Sequence, residues 1–277
     1  MLDMLGLTSS ESLSKNKITS LKSNLGLTSH GVMDKNYCFT EIFKKDSKHF
    51  FTLKWAPRGM HMRQSAILIN PSRFNKHSQL KEVVREVFKD KLLINRVDFC
   101  SDLNLSIEEI EPRLRVKYKK KKKEFEEGLK LTGMKFGSRN DVVTIYDKAY
   151  QLEKTRRVLK KIKGEIIGKR TRFEIRRKGD KVPFPQFDDI QNYLSFNPFS
   201  SIMLYEYHLS ENIRSSQKLR ALYARDQVQR LGFNSFMKSE NSSNNFSKTY
   251  LKYFKESDLN KELLNNYQQN LSNYLRG

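Results

Sequence analysis

Tyr146 sits in Asp141-Val-Val-Thr-Ile-Tyr-Asp-Lys148, where a β-branched run ends in a phenol flanked by an acid and a lysine. Two other apolar alternations carry carboxylates, Arg96-Val-Asp-Phe-Cys-Ser-Asp102 and Arg170-Thr-Arg-Phe-Glu-Ile-Arg176. Side chains alternate faces along a strand. Asp98, Cys100 and Asp102 therefore share one face of the first segment, and Arg172, Glu174 and Arg176 one face of the second. Clustered carboxylates repel and are costly to desolvate unless a cation compensates them. All-oxygen ligand sets suit Mg2+ or Mn2+, so Asp98, Asp147, Asp102 and Glu174 are candidate metal ligands. Tyr146 is the candidate nucleophile. A phenol ionises near pH ~10 on its own, and a metal together with Lys148 would favour the phenolate. Tyr150, one helical turn on, is the rival. A straight strand puts Tyr146 and Asp147 on opposite faces, so both reach one site only if the strand bends or ends there. The plainer role for each acid is an ion pair on a solvated face, Asp98 with Arg96, Arg172 or Arg176.

The partner class follows from charge. The 277 residues carry 53 basic and 31 acidic side chains, a formal charge of +22, which favours a polyanion. Arg113, Arg115, Lys117, Lys119, Lys120, Lys121, Lys122 and Lys123 place eight basic residues in eleven positions with no acid. Such a block can track phosphates or be a solvated face. Arg139, Arg172 and Arg176 are smaller candidates for backbone contact. The two cysteines, Cys38 and Cys100, form no metal-ligand spacing. No signal-peptide pattern or membrane-length apolar run is present, which leads to the expectation of a soluble, cytoplasmic protein without a membrane partner.

The elements that must position these residues are expected as α+β: an antiparallel sheet flanked by helices, then a helical C-terminal region. Residues 1–35, with Leu-Gly-Leu-Thr-Ser at 5–9 and 25–29, read as a loosely ordered arm or short helix. Strands are expected at 37–43, 49–55, 66–70, 92–103 and 166–178, with a hairpin about Gly137–Asp141. Helical spacing covers 80–88 and 149–163. Ser106-Ile-Glu-Glu109 resembles a capping box and predicts a helix through the basic block to Gly128, against which Pro112 stands as a difficulty. From about 181 to 277 the pattern is helical with no strong strand signal. Gln217–Met237 is compatible with a helix-turn-helix or an ordinary helix pair.

Taken together, Arg96-Val-Asp-Phe-Cys-Ser-Asp102, Gly137-Ser-Arg139 with Thr144-Ile-Tyr-Asp-Lys148, and Arg172-Phe-Glu-Ile-Arg176 resemble the Rep_trans-type rolling-circle replication initiators of plasmids and filamentous phages, and related relaxases. The resemblance implies that residues 36–180 form a nicking domain. Tyr146 would cut origin DNA, stay on the 5′ phosphate and leave a 3′-OH primer, with Asp98 and Asp147 as metal ligands. It also implies double- and single-stranded DNA, a host helicase and a second copy of the chain as partners. The family's Gly-x-Arg-x-Ser turn is not kept, since Asn140-Asp141 follow Arg139. No His-x-His pair exists, which sets aside the other large rolling-circle class. The alternative is a double-stranded DNA-binding protein without catalysis.

Overall fold

A computed structural model describes the chain except residues 75, 90, 118–120, 129, 160–167, 210–212, 240–248 and 277, and gives only the backbone of 121, 122, 155–159, 234, 238 and 239. In chain order the strands are β1 (Leu2–Ser9), β2 (Thr28–Gly31), β3 (Tyr37–Lys45), β4 (Lys48–Pro57), β5 (Ser65–Ile69), β6 (Leu93–Leu103), β7 (Leu114–Val116), β8 (Lys121–Glu127), β9 (Lys130–Ser138), β10 (Asp141–Asp147), β11 (Thr171–Lys178), β12 (Ile202–Tyr207) and β13 (Phe254–Glu256). Ten of them form one antiparallel sheet in the order β2-β3-β4-β5-β1-β6-β11-β10-β9-β8. The other three form a small sheet, β13-β12-β7. The α+β expectation stands.

Period-two burial explains why these segments are strands. In β4, Phe51, Leu53 and Trp55 are buried and Thr52 and Lys54 partly exposed; in β11, Phe173 and Ile175 are fully buried between partly exposed Arg172, Glu174 and Arg176. The apolar face is covered by α1 (Lys15–Leu25), α2 (His77–Val87) and the C-terminal helix. On α2, Leu80, Val83, Val84 and Val87 make the inward stripe. The C-terminal helix presents Leu263, Tyr267 and Leu271, all buried. Tyr267 meets Phe99 of β6 edge-on at 5.9 Å. Ser101 Oγ donates to the Leu263 carbonyl at 2.8 Å. Each such large apolar side chain stabilises the fold by about 2 kcal/mol, so residues beyond 180 contribute to the same core as the sheet. A second core gathers Met203, Tyr205, Ala221, Ala224, Val228, Phe233 and Phe236.

Three expectations are corrected. The N-terminal segment is not a loose arm: β1 is a central strand, with Leu2, Leu5 and Leu7 fully buried. Its alternation was masked by a bulge at Asp3, where the register against β6 shifts between Leu2 and Met4. The basic block is not a helix. The capping box is real, Ser106 and Glu109 bonding reciprocally, yet α3 (Ile107–Ile110) stops after four residues. Pro112 follows in a 3-10 turn, Glu111–Arg113, and cannot continue the helical ladder; β7 and β8 come next. The C-terminal part contains strands β12 and β13 as well as helices. Four consecutive residues of β12, Ile202 to Tyr205, are buried, so the segment shows no two-residue period.

Further α-helices among the described residues are α4 (Lys148–Leu159), α5 (Ser215–Leu231), α6 (Phe233–Ser239) and, at the C-terminus, α7 (Leu259–Arg276). Gly232, at φ +73°, separates α5 from α6. Among the described residues no helix is long and apolar enough to cross a membrane.

Candidate functional site

The face of the large sheet opposite α1, α2 and α7 carries the polar side chains, and antiparallel pairing arranges them in rows. Gly133, Tyr146, Arg172 and Asp102 make one row across β9, β10, β11 and β6. Lys135, Thr144, Glu174 and Cys100 make the next, and Lys123 of β8 pairs with Lys135 at its end. Val142, Arg176 and Asp98 follow, then Lys178, Arg96 and Gly6. Tyr146 thus stands on the same face as Asp98, Asp102 and Glu174, with Arg172 as its direct cross-strand neighbour.

Gly133 makes room for the phenol ring. A β-carbon there would come within 3.0 Å of Tyr146 Cβ, Phe125 Cδ2 and the Ile145 carbonyl oxygen. Tyr146 is half-buried, and burial pushes its ionisation well above that of a free phenol. Glu174, Asp3 and Cys100 push the same way, and Arg172 pulls against them. The phenol is neutral at rest. Lys148 Nζ stands 5.8 Å from the Tyr146 ring centroid; burial, then Arg172, makes its ammonium easier to deprotonate than usual.

The carboxylates on this face are held by guanidinium groups. Asp98, almost fully buried, takes Arg96 Nε at 2.9 Å and Nη2 at 2.5 Å, and Arg176 Nε at 3.0 Å. Asp102 is gripped at both oxygens by Arg172, 2.7 and 3.0 Å. Glu174 accepts from Arg176 Nη2 at 3.1 Å. Burial raises the Glu174 carboxyl above the ordinary glutamate range; Asp98 and Asp3 add to this, and Arg176 and Arg96 oppose it. Asp3 reaches the site through the β1 bulge, 3.5 Å from Arg172 Nη1. Asp3, Gly133 and Lys135 escaped the sequence reading; the alternation Lys135, Gly133 along β9 was the available signal for the last two.

Asp147 is not in this group. It pairs with Thr171, whose side chain faces the other side of the sheet and donates to the Leu105 carbonyl. There Asp147 caps α4, accepting from Tyr150 N at 2.8 Å, with Lys130 Nζ 3.4 Å away. Tyr150 goes with it, lining a hollow with Ser106, Glu108, Lys130 and Arg170. The four expected metal ligands therefore do not form one set. Both oxygens of Asp98 and of Asp102 are committed to arginines, and among the described residues no three His, Cys, Asp or Glu side chains are arranged to hold a metal ion. The residues present do not fit the Mg2+ or Mn2+ that the resemblance implies.

The basic block is divided. Arg113 lies in the 3-10 turn, Arg115 pairs with Met203 in the small sheet, and the Lys117 amide bonds to the Ser201 carbonyl. Lys119 and Lys120 lie outside the described residues. Lys121, Lys122 and Lys123 are in β8, the edge of the large sheet, where lysine also discourages edge-to-edge pairing. Arg139 is exposed at the tip of the β9–β10 hairpin, with φ +48°. No protein-family model matches the chain, and no curated protein sequence matches it.

Proposed function

We propose that this chain is a DNA nicking and strand-transfer enzyme of the rolling-circle initiator kind, with Tyr146 as nucleophile. The observation that carries the reading is Tyr146, partly exposed at the end of β10, beside Arg172, diagonal to Glu174, and on the face that also holds Lys123 and Lys135. Diagonal cross-strand neighbours lie roughly 7–8 Å apart, within reach of a glutamate. Tyr146 Oη bonds to phosphorus as the bond from phosphorus to the 3′ oxygen breaks. The phenol proton passes to Glu174, a stronger base than an ordinary carboxylate. Lys148, whose proton is more readily given up, protonates the departing oxygen to leave a 3′-OH. The strand stays on Tyr146 by its 5′ phosphate until the reverse step rejoins it. Origin DNA, a host helicase and a second copy of the chain are the partners this role carries, and a conjugative relaxase would use the same chemistry.

A second reading, a duplex-binding protein without catalysis, is favoured by the Arg96–Asp98–Arg176 and Arg172–Asp102 pairs, which satisfy those acids without a substrate. One experiment separates the two. The full chain is incubated, with and without Mn2+, with a supercoiled plasmid carrying the DNA that flanks its coding sequence, and open circles with protein attached are sought on denaturing gels. The enzymatic reading expects adducts that Tyr146→Phe abolishes while DNA retention persists. Retention without any adduct from the wild-type chain would leave the second reading.

A further inference from the structure

Six residues along β11 from Arg172, about 20 Å by strand rise, the same face carries a depression of about 300 Å³. Gly6, Ala66 and Leu68, on the adjacent strands β1 and β5, line it with small or apolar surface, and Lys54, Arg96 and Lys178 stand around them. A bulge in β6 shapes this end: the register against β1 shifts between Gly6 and Leu7. It brings Asn95 and Arg96 together over Gly6, where a β-carbon would come 2.8 Å from Asn95 Oδ1 and 3.0 Å from Arg96 Cβ. Bulges of this kind re-aim side chains beside functional surfaces.

The charge here is unbalanced. Lys54 pairs with Asp34, and Arg96 and Arg176 share Asp98. Lys178 has no acid within ion-pair distance among the described residues. Its own burial, then the Arg96 and Arg176 guanidiniums, make its ammonium costly to keep. With Glu174 also paired to Arg176, four cations face three carboxylates, and an incoming anion would relieve the excess at Lys178.

We infer that this depression docks one unpaired nucleotide of single-stranded DNA, its phosphate on Lys178 and Arg96 and its base on the Gly6–Ala66–Leu68 surface. The inference rests on the strand-transfer reading only for the nature of the polymer. A base free of its partner can lay its face against a recessed apolar surface; a base stacked inside a duplex cannot, which decides for the single strand.

The test uses the full chain carrying Tyr146→Phe, so that no cleavage intervenes, and follows fluorescence anisotropy of a labelled oligodeoxynucleotide of about twelve nucleotides. Lys178→Gln should weaken binding about tenfold and lower the salt slope by about 0.7, one phosphate contact on a single strand. Ala66→Leu should weaken it by a similar factor with the slope unchanged, leave duplex binding within about twofold, and have no effect on an abasic oligomer. Lys181→Gln, an exposed lysine nearby, should change little. If Ala66→Leu melts early, Leu68→Phe takes its place. Parental affinity and slope in both variants, or an equal loss with Lys181→Gln, overturns the docking site alone. A parent that binds no DNA overturns it together with the strand-transfer reading.

Discussion

Asp98 and Asp147 stand on opposite faces of the ten-stranded sheet, Asp98 over Arg96 and Arg176 and Asp147 at the start of α4. The two acids that most resemble a ligand pair in the sequence therefore do different work. One is a hub for buried guanidiniums, the other a helix cap. The chemistry assigned to Tyr146 depends on the first face only.

Replacing Asp147 with alanine should consequently cost about 1 kcal/mol, the loss of one helix cap, and leave strand transfer by Tyr146 in place. Chemical denaturation measures the first, and the covalent-adduct assay the second. A folded Asp147→Ala protein that forms no adduct would move the active site to the Tyr150 side of the sheet.

Asp98→Asn should be more damaging. It removes the charge that two partly buried arginines share, and hydrogen bonds to charged groups are worth about 1.5–3 kcal/mol. With the arginines about a quarter exposed, solvent takes up part of the loss, so a cost of about 2 kcal/mol is expected in urea titration. A cost below about 0.5 kcal/mol would mean the guanidiniums are satisfied elsewhere.

Much of this arrangement was legible in the residues, and what was not has definite physical causes. The alternations in β6 and β11 gave the faces because one side of each strand is apolar and the other bears charges. The same alternation put Tyr146 and Asp147 on opposite sides, and the strand ends too late to reunite them. β1 was missed because its bulge at Asp3 breaks the two-residue period, and β12 because it is buried on both sides. The lysine block resembled a helix because its capping box is intact; Pro112, a local stop, decided otherwise. Pairing of Asp98 with arginines was one of the alternatives open from composition, but that both its oxygens are taken depends on the registry of three strands.

Glu174 should leave a pH signature. Its carboxyl is raised in the folded protein, so folding favours the protonated form. That contribution is fully present below the ordinary glutamate value of 4.5 and is lost as pH rises through the folded value. Glu174→Gln mimics the protonated group. The variant should gain stability relative to wild type as pH climbs from 4 to 7, seen as a growing difference in Tm. A difference that is flat or shrinks over this range would contradict the raised carboxyl. Adduct formation should fall sharply in the same variant at pH 7 if Glu174 accepts the phenol proton.

His77 gives the opposite sign, far from the candidate site. It lies in the apolar core at the first residue of α2, against Phe187 and Tyr274, with neither ring nitrogen bonded. Burial first, then Lys81, pushes its ionisation down from 6.5 to about 4. The unfolded chain takes up the proton more readily than the folded one, so stability present above pH 6.5 is lost as pH falls towards 4. His77→Leu removes that linkage and a pair of unbonded nitrogens while keeping an apolar side chain in the site. Its Tm should decline less than that of wild type between pH 7 and 4.5, by several degrees for a domain of this size. Parallel curves for the two proteins would show that the imidazole finds water or a partner in solution and does not titrate with unfolding.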